Sequence, residues 1–74
     1  MKTLVSNLRV CARARRLSVP ALARELGIST SYAHMLLNGE RGFGVQALRG
    51  IVRAFPEMGP EVLDYLRDGH EDDA

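Results

Sequence analysis

Thr30, Ser31 and His34 place three short polar side chains on one arc of a helical stretch, and Ser29, Asn38 and Arg41 bracket it. Serine and threonine hydroxyls donate or accept, and a neutral imidazole donates at one nitrogen and accepts at the other. Met35 stands at the edge of the same arc and offers a polarizable apolar contact. Arg13, Arg16 and Arg24 bring positive charge from the preceding segments. This is the chemistry of recognising hydrogen-bonding edges and anions. Nothing beside it suggests bond making: no Ser-His-Asp arrangement, phosphate-binding glycine loop or spaced carboxylate pair is visible. Cys11 is the single cysteine, and the two histidines, His34 and His70, lie far apart. Neither a zinc site nor an internal disulfide is expected, and Cys11 reads as a small hydrophobe. No enzyme, no metal and no cofactor is expected.

The elements that must carry these residues read as five helices, with no stretch alternating long enough for a strand. The first spans about Thr3 to Arg15, with Leu4, Leu8 and Cys11 inward and Arg9, Arg13 and Arg16 toward solvent. The second starts at Ser18, a good N-cap, carries Pro20 in its first turn and stops at Gly27. Val19, Leu22, Ala23 and Leu26 form its buried stripe. Ile28 plugs the turn and Ser29 caps the third helix, which runs from Thr30 to about Asn38. Its inner arc is Tyr32, Ala33, Leu36 and Leu37. At ~1.5 Å per residue it is about 13 Å long, two turns of exposed face. A helix presenting such a face beside a supporting helix can enter the major groove of double-stranded DNA.

A glycine-rich loop with Arg41 and Phe43 follows, and the fourth helix covers Val45 to Phe55, stopped by Pro56. Leu48, Ile51, Val52 and Phe55 are expected inward, and Gln46, Arg49 and Arg53 outward. Pro60 opens a fifth helix at its first position, and that helix ends near Asp68-Gly69. Residues 1–68 read as one domain and residues 69–74 as a disordered acidic tail.

Net charge is only +1, yet it is unevenly spread. Residues 1–53 hold nine of the ten Lys and Arg against Glu25 and Glu40, a balance of +7. Residues 54–74 hold Arg67 against seven acids, a balance of −6. A basic body with an acidic end suggests one surface toward a polyanion and another away from it. No apolar run reaches transmembrane length, and Asn7, Arg9 and Arg13 break up any signal-peptide core, so no membrane partner and a cytoplasmic setting are expected.

Leu17-Ser18, Leu22-Ala23, Leu26-Gly27-Ile28-Ser29, Tyr32, Leu36, Asn38-Gly39, Arg41 and Leu48 with Ile51 together resemble the Cro/C1-type helix-turn-helix family, the lambda-repressor-like domains of phage repressors and small bacterial regulators. The resemblance covers about residues 4–55. It implies an all-α, compact five-helix domain whose second and third helices form the helix-turn-helix. It further implies a transcriptional regulator binding a near-palindromic operator as a homodimer: a repressor of phage or mobile-element type, with a restriction-modification controller or an antitoxin-like autoregulator as alternatives that would look much the same. Val19 departs from the glutamine common at that position, Ala33 from a larger β-branched residue, and GERGFGV lacks the usual proline.

Within that frame Thr30, Ser31, His34 and Met35 are the base-reading candidates, and Ser29, Asn38, Arg41, Arg16, Arg13 and Arg24 the phosphate-binding ones. On the fifth helix Tyr65, Val62, Leu66 and Leu63 span about 160°, more than a terminal helix needs to cover its own core. With Phe55 and Met58 they are expected to form an exposed dimer interface. The alternative reading is a protein-interaction module that docks on another regulator or on RNA polymerase, using the apolar fifth helix and the acidic end.

Overall fold

The computed structural model describes residues 3–67. The expected tail, His70 and the end of the fifth helix lie outside the described residues. Within them the chain is all-α, with five helices and no strand: α1 (Leu4–Ala14), α2 (Val19–Leu26), α3 (Thr30–Leu37), α4 (Val45–Ala54) and α5 (Gly59–Arg67). A single 3-10 turn, Pro56–Met58, leads straight into α5. Pro60 is therefore the second residue of a helix whose chain is already coiling, and not its opening residue.

Side-chain caps begin the first three helices. Thr3, Ser18 and Ser29 each accept the amide three residues on, from Ser6, Ala21 and Tyr32. Each bond satisfies one of the donors that a helix start leaves without a partner. The same three helices end alike. After α2, Gly27 at φ 73° returns its amide to Arg24 while Ile28 bonds Ala23. After α3, Gly39 at φ 74° bonds Leu36 while Glu40 bonds Met35. After α1, Arg16 bonds Arg13 while Leu17 bonds Ala12, but here the left-handed position, φ 57°, holds an arginine. An L side chain there costs about 1–2 kcal/mol, which glycine avoids.

Leu8, Leu22, Leu26, Leu36, Ile51, Phe55 and Met58 fill the centre. α2 packs on both α3 and α4, and α1 on α3 and α5. Ala12 takes the buried place in the second half of α1, while Cys11 is half-buried at the core's margin. Burial pushes its thiol pKa up, nearby Glu57 and Glu61 push it further, and Arg15 works against them. On α4 the inward residues are Ala47, Leu48, Gly50 and Ile51, and Val52 is exposed. Val52 lies one helix position, about 100°, from Ile51, and it turns to the open groove between α4 and α5.

Val62, expected on an exposed arc, and Phe55 and Met58, expected beside it in the dimer interface, are core residues instead, Phe55 in the inward place also expected of it at the end of α4. The 3-10 turn rolls α5 so that Val62 faces inward behind Met58. Tyr65 is half-buried, its ring edge-on to Phe43 with centroids 5.6 Å apart. Of that expected arc only Leu63 and Leu66 face solvent, at 65% and 57%.

At Gly50 a Cβ would land on the carbonyl of Leu26 and lie 2.8 Å from its C and Cα. Alanine normally favours a helix over glycine by about 1 kcal/mol. Here the neighbour is backbone and cannot swing aside. Gly50→Ala is expected to destabilise the fold by about 1–3 kcal/mol, measured by urea denaturation, whereas a gain in stability would show that α2 and α4 can separate freely.

Candidate nucleic-acid interface

α3 stands on the surface by one face only. Ala33 and Leu36 are buried, Tyr32, Met35 and Leu37 are partly covered, and Thr30, Ser31 and His34 are exposed. The polar arc foreseen in the sequence thus exists, and Met35 lies at its edge as expected. The cap at Ser29 fixes where the helix starts, and the Gly39 stop fixes where it ends. Ser29 Oγ accepts from the Tyr32 amide at 3.1 Å. That bond uses an acceptor lone pair and leaves the hydroxyl proton to donate outward.

Asn38 closes α3 in a helical conformation, its own amide on the His34 carbonyl. Its side chain is exposed, as is that of Arg41. Arg41 sits just past the Gly39 stop, and the amides of Glu40 and Arg41 both point back to the Met35 carbonyl, at 2.8 and 3.4 Å. Arg24 is exposed in the last turn of α2.

Arg13 and Arg16 are brought together elsewhere. They line an open cleft of about 480 Å³ at the junction of α1 and α2, floored by Ala12, Leu17, Val19, Leu22 and Leu37. Thr30, Ser31, His34 and Arg41 are not part of that cleft. Arg9 joins it, a cation the sequence placed in solvent without assigning it a role; it donates to the Leu37 carbonyl at the end of α3. A pairing across 28 positions leaves no local signal. Gln46 was read as simply outward-facing. Its Nε2 donates to the Gly27 carbonyl at 2.8 Å and so ties the start of α4 to the turn before α3.

Two ion pairs are found among the described residues, Arg15–Glu57 and Arg67–Asp64. Arg9, Arg13, Arg16, Arg24, Arg41, Arg49 and Arg53 join neither. Arg24 on α2 and Arg41 after α3 therefore accompany the polar face of α3, and Arg9, Arg13 and Arg16 form a second group in the cleft, none of them ion-paired among the described residues. That arrangement can attract a polyanion and present donors and acceptors to it.

A second surface lies between α4 and α5. Val45, Val52, Leu63 and Leu66, four of the five exposed large hydrophobics, line one open groove of about 750 Å³, with Arg49 and Arg53 beside them. Val45 is 67% exposed and Val52 44%. No three-residue cluster of His, Cys, Asp and Glu suited to a metal is present among the described residues, and no helix there is long and apolar enough to cross a membrane. Compared with protein-family models, curated proteins and solved structures, the chain matches none.

The arginine at the left-handed stop of α1 yields a direct expectation. Arg16→Gly should stabilise the fold by about 1 kcal/mol in urea denaturation, while removing one cation from the α1–α2 cleft. A loss of stability would mean that the guanidinium holds the fold together by contacts worth more than the backbone strain.

Proposed function

We propose that this chain is a sequence-specific regulator of transcription, a repressor that binds double-stranded DNA as a homodimer with α3 in the major groove. The observation that carries this reading is the exposed arc Thr30, Ser31 and His34 on a body whose Arg13, Arg16, Arg24 and Arg41 join no ion pair among the described residues. Thr30, Ser31 and His34 read base edges, with Met35 against a thymine methyl. Ser29, Asn38, Arg41 and Arg24 hold phosphates around α3, and Arg13 and Arg16 hold them from the α1–α2 cleft.

Dimerisation uses the α4–α5 groove. The contact surface is Val45, Val52, Leu63 and Leu66, in place of the buried Phe55, Met58 and Val62. Arg49 and Arg53 border it on the α4 side, and Leu63 and Leu66 make the α5 side apolar. A two-fold partner presenting the same groove can cover Val45, Val52, Leu63 and Leu66 with its own copies of them. Such a pair would space two α3 helices for half-sites about 34 Å apart.

A mobility-shift titration against sequences selected from a random DNA pool tests the DNA reading. With about four phosphates neutralised per subunit, log K should fall with log salt at a slope near −7. Thr30→Ala and His34→Ala should change which sequences bind, by about 1–3 kcal/mol at the base concerned. Arg41→Ala should weaken all sequences alike. A nearly flat salt dependence would exclude DNA as the partner and leave a protein-docking role.

The dimer is tested by sedimentation of the wild type and of Leu63→Glu and Leu66→Glu, free and on DNA. Both positions are exposed, so the variants should fold normally and lose association. Wild-type protein that stays monomeric on its operator would overturn the dimer, as would variants that remain dimeric and fully active.

A further inference from the structure

Both tyrosines of the chain turn their hydroxyls onto one loop, the segment between α3 and α4 that carries Arg41. Tyr32 Oη, reaching from α3, donates to the Gly42 carbonyl at 3.0 Å and accepts from the Gly44 amide at 2.9 Å. Tyr65 Oη, reaching from α5, accepts from the Phe43 amide at 3.2 Å. Three consecutive residues, 42 to 44, are therefore each bonded to a tyrosine. The Phe43 side chain between them is buried and meets the Tyr65 ring edge-on.

This loop needs such help. Its sequence, Gly39-Glu40-Arg41-Gly42-Phe43-Gly44, holds three glycines in six residues. Glycine has the most backbone freedom to lose on ordering. At one end the loop is fixed by the amides of Glu40 and Arg41 on the Met35 carbonyl. At the other end it is fixed by the buried Phe43 side chain together with the two hydroxyls. Arg41 belongs to the first anchor through its own amide and borders the second, and its side chain joins no ion pair among the described residues.

We propose that Tyr32 and Tyr65 are positioning residues for Arg41. Their hydroxyls turn a glycine-rich loop into a fixed mount for a phosphate-contacting cation, and Tyr65 makes that mount depend on α5. The inference rests on the DNA-binding reading for what Arg41 contacts, but not for the mount itself.

Tyr32→Phe and Tyr65→Phe test it, because each keeps the ring and removes only the hydroxyl. Two measurements are combined. In the free protein, amide hydrogen exchange of Glu40 and Arg41 should quicken roughly two- to tenfold in both variants, the worth of one hydrogen bond. Leu8, Leu36 and Ile51 should keep their protection. These two loop amides are bonded to Met35 and not to the tyrosines, so they report the mount and not merely the lost bond.

On the selected DNA, both variants should keep the preferred sequence and bind more weakly. Their salt slopes should become shallower by about 2, one phosphate lost per subunit of a dimer. Tyr32→Phe combined with Arg41→Ala should bind no more weakly than Arg41→Ala alone, since both remove the same contact. Unchanged exchange at Glu40 and Arg41 overturns the mount, whatever the DNA result. Faster exchange with a wild-type slope, or fully additive effects in the double variant, overturns the positioning of a phosphate contact. A wild type without salt-dependent binding overturns the DNA reading and the role of Arg41 with it, even where loop exchange quickens.

Discussion

The placement of the candidate interface depends on one close approach, the backbone of α2 at Leu26 against Gly50 of α4. With no side chain between them the two helices meet at backbone distance, and the pair becomes a fixed support. α3 inherits its position from that support, because only Gly27, Ile28 and Ser29 separate it from α2. Gln46 then reaches from α4 to the Gly27 carbonyl and holds the turn itself. A short helix could not hold a defined orientation through its own propensity. Here the orientation comes from backbone contacts and a left-handed stop, which leaves the outer face of α3 free of structural duties. Thr30, Ser31 and His34 can therefore be chosen for what they meet outside the molecule.

Arg15 shows what the other arginines are not doing. Its guanidinium lies 4.3 Å from the centre of the Phe55 ring, donates to the Ala54 carbonyl at 2.7 Å and pairs with Glu57 at 3.1 Å. It clamps the end of α1 to the end of α4 and is a structural cation. The remaining arginines of the first 53 residues have no acidic partner among the described residues. Arg9 bonds only a carbonyl. Like charges gathered on so small a body raise its electrostatic energy in the compact state. A polyanionic partner relieves that repulsion, whereas an uncharged surface would leave it in place. The distribution argues for such a partner more strongly than the net charge of +1 does.

Much of the fold was legible because it is written in local signals. Ser18, Ser29, Gly27 and Gly39 each mark a helix end through a bond reaching no more than five residues, and the polar arc of α3 follows from helical spacing alone. What escaped was set by tertiary contacts. A helical wheel orders side chains around an axis but does not say which arc the rest of the molecule covers. Val52 was therefore placed inside and Val62 outside, and the structure reverses both. The 3-10 turn at Pro56–Met58 decides the roll of α5, and three residues carry too weak a pattern to reveal it. Arg16 escaped for another reason. The signal for a left-handed stop is a glycine, and an arginine in that place reads as an ordinary surface cation.

The two roles of α5 fall on different sides of one nine-residue helix. Val62 and Met58 seat it on the core. Tyr65 lies two positions from Leu63, about 200° around the axis, and one position from Leu66, about 100°. Its hydroxyl can hold the Phe43 amide while both leucines stay in the groove with Val45 and Val52. A charge placed at Leu63 thus acts on the apolar groove from the side away from the loop. A hydroxyl removed from Tyr65 acts on the loop and leaves the groove's apolar surface as it was. The proposed association at α4–α5 and the proposed ordering of the Arg41 loop would therefore share a helix without sharing side chains. A domain of this size buries only a small core. Leaving Val45, Val52, Leu63 and Leu66 in water withholds apolar surface that folding could have used. That choice is physically coherent where a second surface arrives to cover them, and on the proposed reading that surface would meet the helix whose Tyr65 bonds the Arg41 loop.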